Sequence, residues 1–167
     1  MTGRALLLPG RIYDVGMPLL AETGRRLRRR GWEVRPVSWT APDPVPSDGV
    51  WVGRRAAEAV GDDPGPWLFV AKSLGTRVVQ SAVHADAYVL LTPLLVDPEH
   101  AAAITRIVAH GVPVLLAGGT GDPYWSREAA RATGAEVFEV SGANHAMAGS
   151  HLAVGDAADA FLAGLSW

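Results

Sequence analysis

The chain has 167 residues, a formal net charge of −2 and no cysteine. The length suits one domain, residues 1–167, with a substantial core. The charge offers no global attraction to nucleic acid or an anionic membrane, and the missing thiols exclude disulfide frameworks and Cys-based metal sites. The longest apolar runs, such as Val112 to Ala117, are far too short to cross a bilayer. Met1 to Arg4 leads straight into a strand pattern with no secretory leader, so a cytoplasmic protein is expected.

Ala5 to Leu8 is a short, wholly apolar run, as in a central parallel strand covered on both faces, and Pro9-Gly10 ends it. After a loop from Arg11 to Met17, Pro18 suits the first turn of a helix reaching about Arg30, with Gly31 as its C-cap. Leu19, Leu20, Thr23 and Leu27 form its apolar stripe. The basic run from Arg25 to Arg30 complements the helix dipole and is expected to face solvent; one short run on a near-neutral chain is a poor nucleic-acid footprint. Trp32 to Trp39 reads as a second strand, and Pro36 within it argues for an edge position.

Prolines alternate through Thr40 to Pro46, an extended loop. Ser47 or Asp48 can cap a helix running to Val60 and stopped by Gly61. Trp67 to Ala71 is a third strand, followed after Ser73 by a helix ending near His84. Ala87 to Leu91 is a fourth strand, and Asp97-Pro98 opens a helix to His110 that Gly111 closes. Val112 to Ala117, a fifth strand, leads into Gly118-Gly119-Thr120-Gly121-Asp122. Ser126 can cap a short helix to about Thr133, and Glu136 to Val140 makes a sixth strand. The last helix is expected from about Ala148 to Leu165, with Leu152, Phe161, Leu162 and Leu165 among its core candidates.

Six strands alternating with helices predict a doubly wound, mainly parallel sheet in a three-layer α/β/α sandwich. Functional residues in such sheets gather beyond the carboxyl ends of the strands. Three strand ends carry suitable chemistry: Ser73 after the third, Asp122 after the fifth and His145 after the sixth. A serine hydroxyl is a poor nucleophile until an imidazole takes its proton. That imidazole needs a carboxylate on its other nitrogen, and the oxyanion formed on attack needs N–H donors. The backbone N–H groups of Leu74, which opens the helix after Ser73, and of Arg11, just beyond Gly10, are the candidates. His84, His100, His110 and His151 compete less well with His145, because none stands in a loop just after a strand. Gly118 to Gly121 lacks the Gly-Lys-Ser/Thr ending of a phosphate loop.

Ala71-Lys72-Ser73-Leu74-Gly75, Leu8 to Arg11, Gly119 to Asp122 and Gly142 to His145 together resemble the small, cap-less α/β-hydrolases related to dienelactone hydrolases and to the hydrolase-like domains of chromatin-complex proteins. The resemblance spans nearly the whole chain. It implies a minimal α/β-hydrolase fold with Ser73 as nucleophile, His145 as base and Asp122 as acid. Three departures stand out: Ala71 replaces the first glycine of the elbow, Pro9-Gly10 replaces the usual His-Gly, and no strand fits ahead of Ala5. The last implies a truncated sheet with an exposed early edge, which admits homodimerisation although no residue compels it.

The expected function is hydrolysis of a small ester or thioester through an acyl-enzyme, without cofactor or metal and at an open site with no cap domain. Tyr13, Tyr124 and Trp125 flank the site loops and are candidates for a substrate pocket. Lys72, beside the nucleophile, either adjusts local charge or meets an acidic substrate, or is a solvated side chain with no role. The rival expectation is a non-catalytic scaffold that binds a protein partner; it would be favoured if His145 Nε2 could not reach Ser73 Oγ by any rotamer, or if a side chain filled the oxyanion position.

Overall fold

Strand alternation decides which residues each face of the sheet buries. The computed structural model describes residues 3–166. Its strands are β1 (Arg4–Leu8), β2 (Glu33–Pro36), β3 (Trp67–Lys72), β4 (Ala87–Leu91), β5 (Val114–Gly119) and β6 (Glu136–Val140). They form one wholly parallel sheet in the order β2-β1-β3-β4-β5-β6. The helices are α1 (Pro18–Arg29), α2 (Val50–Val60), α3 (Pro98–Ala109), α4 (Arg127–Ala132) and α5 (His151–Ala163), with a 3-10 helix at Ser73–Gln80 that we call the elbow helix.

Leu7, Leu68, Val70, Val89 and Leu115 point to one side, where they pack on Leu19, Leu20 and Leu27 of α1 and on Val154, Ala158 and Phe161 of α5. Leu6, Phe69, Leu90 and Leu116 point to the other, against Val52 and Ala56 of α2, Val78 of the elbow helix and Ile104 of α3. The three-layer, doubly wound sandwich expected from the sequence is therefore the observed fold. β3 lies inside the sheet with six consecutive buried residues, and its carboxyl end delivers Ser73 between helix layers. Among the described residues, no helix is long and apolar enough to cross a membrane.

Several boundaries differ from the sequence reading, each for a local reason. β2 is only four residues long and sits at the sheet edge, with Pro36, which has no N–H to donate, as its last residue. α2 starts after Gly49, and Asp48 Oδ1 only accepts from Val50 N at 3.0 Å. The elbow helix stops at Gln80, well short of His84. There Ser81 Oγ donates to the Val78 carbonyl at 2.7 Å and accepts from Val83 N at 3.2 Å, which turns the chain. β5 begins two residues late, after Pro113, and continues into the glycine run. α5 begins at His151 because Asn144 to Ser150 is spent on turns, with Met147 at φ 50° and Gly149 at φ 79°. Leu152, expected in the core, is 56% exposed at its start.

The arginine run of α1 does not simply face solvent. Arg26 donates to Glu22 at 2.6 Å and to Asp156 and Asp159 at 2.7 Å each, and Arg30 to Asp159 at 2.8 Å, so the run clamps α1 to α5. The bonds to Glu22, Asp159 and Asp156 raise the Arg26 pKa, the Glu22 bond foremost, and the bonds from Arg25 and then Arg26 hold Glu22 down at about 2.

Candidate active site

Ser73 has φ 49°, in the left-handed region that side chains avoid, and this backbone lifts its Oγ clear of the sheet. Two small residues permit the turn. Ala71 is fully buried opposite Leu8 of β1. At Gly75 any Cβ would lie 2.6 Å from the Pro9 carbonyl oxygen and 2.7 Å from that of Leu8, so only glycine lets the elbow helix pass the end of β1. Behind the turn, Thr76 Oγ1 lies 2.5 Å from the Ser73 carbonyl, to which it donates, and 3.1 Å from Nε2 of His100. His100 Nδ1 lies 3.0 Å from Gln80 Oε1. Burial depresses the His100 pKa to about 4, aided by the nearby Arg77 charge.

The three candidate side chains come together at the carboxyl edge of the sheet. Ser73 Oγ is 2.8 Å from His145 Nε2, and His145 Nδ1 is 2.7 Å from Asp122 Oδ2. A carboxylate only accepts, so Nδ1 carries the proton and Nε2 presents its lone pair to the serine hydroxyl. The Asp122 side chain is fully buried, while that of His145 is 31% exposed. Asp122 Oδ1 also accepts from Tyr124 N at 2.8 Å, which fixes the carboxylate plane. Of the two conditions that would favour the scaffold reading, an imidazole out of reach of Ser73 is not met.

The glycine run positions Asp122. A Cβ on Gly119 would lie 2.3 Å from the Ala143 carbonyl oxygen, and one on Gly121 would lie 2.8 Å from that of Gly142. Bare at Gly119 and Gly121, the Asp122 loop presses on the His145 loop and bonds to it: Thr120 N donates to Val140 O at 3.1 Å and Gly121 N to Ala143 O at 2.9 Å. Thr120 Oγ1 accepts from Gly142 N at 2.7 Å.

Leu74 N belongs to the first turn of the elbow helix, where no intrahelical acceptor is available. The loop carrying Arg11 is close by: a Cβ on Gly10 would be 3.6 Å from Ser73 Cβ. Trp39 Nε1, donating to the Gly10 carbonyl at 3.0 Å, and Tyr13 O, accepting from Gly10 N at 2.8 Å, hold that loop. Residues 9–15 and 37–39 wall a recess of about 230 Å³ that includes Gly10.

The four pocket candidates fare differently. Tyr124 is 46% exposed, with its ring centroid 4.9 Å from that of His145, at the mouth of the site. Tyr13 contributes to the recess but is mostly buried, and its hydroxyl accepts from Leu19 N at 2.8 Å. Trp125 is a core residue instead of a pocket wall. Its ring occupies the space a side chain at position 118 would take, and its Nε1 donates to Glu139 Oε2 at 2.7 Å. Lys72 is neither solvated nor placed to meet a substrate. It is 1% exposed, and its Nζ donates to the His145 carbonyl at 2.9 Å.

Sequence reasoning missed Thr76 and His100 behind the elbow; a threonine three residues after the serine and a histidine on a helix carry no signal until the helices pack. Among the described residues, no group of three or more His, Asp or Glu side chains is arranged to hold a metal ion.

No family model matches the chain, and no curated protein does either. Solved structures do match. A protein assigned to the α/β-hydrolase superfamily from Xanthomonas campestris pv. campestris aligns with TM-score 0.75 and 19% identity, over 98% of this chain and 99% of its own. Est1E from Butyrivibrio proteoclasticus aligns with TM-score 0.71 and 12% identity, over 97% of this chain and 87% of its own. The esterase domain of a Rhodothermus marinus protein aligns with TM-score 0.69 and 15% identity, over 95% and 85%. The chain thus has the α/β-hydrolase fold.

Proposed function

We propose that the protein is a serine hydrolase that cleaves a small ester or thioester through an acyl-enzyme on Ser73. The observation that carries this reading is the unbroken relay from Ser73 Oγ through His145 to Asp122, with spacings of 2.8 and 2.7 Å. Ser73 Oγ attacks the carbonyl carbon as His145 Nε2 takes its proton, and the buried Asp122 carboxylate stabilises the imidazolium. The N–H groups of Leu74 and Arg11 donate to the oxyanion, each donor lowering the barrier by roughly 2.7–4 kcal/mol. His145 then protonates the departing alcohol or thiol, and water, activated by the same imidazole, releases the acid.

Fold neighbours named as esterases support the general class. The part-exposed imidazole and the exposed Tyr124 beside it favour a small substrate over a long-chain lipid, which would need a closed apolar site. A fluorophosphonate probe tests the reading: the native protein is expected to be labelled on Ser73 and Ser73→Ala is not. Unlabelled native protein, or equal labelling of the variant, would sink it. An acyl-chain-length series on untreated native protein then sets the substrate size, with the shortest chains expected to turn over best.

A further inference from the structure

Lys72 is the single lysine of a chain with fourteen arginines, yet it lies buried immediately before the candidate nucleophile. Strand alternation sends Leu68, Val70 and then Lys72 to the α1–α5 face of the sheet. At the end of β3 its long stem reaches past the apolar layer and brings Nζ between two loops. On one side Nζ donates to the main-chain carbonyl of His145 at 2.9 Å. On the other it lies 4.8 Å from the centre of the Tyr13 ring, within the range of a cation–π contact. Tyr13 is itself fixed at both ends, through its hydroxyl to Leu19 N and through its carbonyl to Gly10 N, each 2.8 Å. One side chain therefore joins the elbow to the His145 loop and to the loop bearing Gly10 and Arg11.

We infer that Lys72 is a positioning residue, whose ammonium pins the His145 backbone and the Tyr13 ring so that the imidazole stays in line with Ser73. This rests on the serine-hydrolase reading above. The titratable groups that face Lys72 come from three loops: Tyr13 after β1, Asp122 after β5 and His145 after β6. Asp122 favours the charged amine and burial disfavours it; burial wins, pulling the Lys72 pKa down to about 8. The Tyr13 phenol is pushed up, chiefly by burial, and stays neutral over this range. Above pH 8 the free amine keeps an N–H for the His145 carbonyl but loses the charge assistance that roughly doubles such a bond, together with the attraction to the ring.

A cation kept there for structure alone would lower stability when removed. A cation kept for positioning is expected to cost stability and give activity, because its burial is only partly compensated. The experiment compares wild type, Lys72→Met and Lys72→Gln by fluorophosphonate labelling rate from pH 6.5 to 10, by thermal unfolding at pH 7, and by the imidazole ¹⁵N signals of His145. The wild-type rate is expected to fall several-fold through about pH 8, with the His145 signals shifting over the same range. Lys72→Met is expected to be labelled at least tenfold more slowly at pH 7, without that fall or shift, while melting no lower than wild type. Lys72→Gln, which keeps a neutral donor, lies between them and also lacks the fall. A wild-type rate and His145 signals that are flat from pH 7 to 10 overturn the inference, as does wild-type labelling speed in folded Lys72→Met. Unlabelled wild type whose His145 signals still shift with Lys72 sinks the hydrolase reading and leaves the positioning role standing.

Discussion

At φ 49°, Ser73 holds a backbone conformation that costs a non-glycine residue on the order of 1–3 kcal/mol, and its neighbours explain why it is kept. Ala71 tolerates a methyl group where the familiar elbow has glycine because it is the regular partner of Leu8 in the β1–β3 ladder. The strain falls on Ser73 and the crowding on Gly75, where Leu8 and Pro9 carbonyls stand within 2.7 Å of any Cβ. At Asp122 the requirement is electrostatic. Its fully buried carboxylate fixes the proton on His145 Nδ1 through the 2.7 Å bond. Asp122→Asn keeps the size but can present an N–H to Nδ1, which favours the wrong tautomer. Labelling of Ser73 by a fluorophosphonate is expected to slow on the order of 10³–10⁴-fold, with the circular-dichroism spectrum and melting temperature of the folded protein nearly unchanged.

The Asp122 loop and the His145 loop form one unit, although 23 residues separate the two side chains they carry. Thr120 and Gly121 donate across the seam to Val140 and Ala143, and Gly119 lies against the Ala143 carbonyl. Gly119→Ala puts a methyl 2.3 Å from that oxygen, backbone against backbone, so the seam must open by about an ångström. The expected result is a loss of roughly 1–3 kcal/mol in denaturant unfolding. Ser73 labelling is expected to slow about 10²-fold, the scale of a 1 Å misplacement of reacting groups. A variant as stable and as reactive as wild type would show that the seam does not align the relay. The same close packing explains why a run resembling a phosphate loop need not bind phosphate: these glycines are spent on loop-to-loop contact. The elbow helix, too, takes its length from tertiary contacts, since a Cβ on Gly53 of α2 would meet Ser81 Cβ at 2.4 Å, just where the helix ends.

For the whole molecule, pH is the sharpest probe of how the core is built. His100 is fully buried and neutral, with its pKa depressed to about 4 mainly by desolvation. The unfolded chain takes up a proton near pH 6.5, so stability is present above that pH and declines as pH falls from 6.5 towards 4, by roughly 3 kcal/mol at 1.36 kcal/mol per pH unit. Glu22, held at about 2 by Arg25 and Arg26, adds a second loss between about pH 4.5 and 2. Melting temperatures from pH 7 to 3 are expected to fall in these two stages, and His100→Gln is expected to flatten the first while leaving the second. A wild-type curve flat from pH 6.5 to 4 would contradict the buried neutral imidazole. The sequence by itself determined the alternation of six strands and their helices, the parallel sheet, and the convergence of Ser73, Asp122 and His145. These follow from apolar periodicity and from the rule that strand ends share one edge. Only tertiary structure decided that Trp125 belongs to the core, that Leu152 is exposed, that the arginines of α1 clamp α5, and that Lys72 turns inward. Each of those outcomes depends on which neighbour stands within a few ångströms, and neighbours distant in the chain leave no mark on local periodicity.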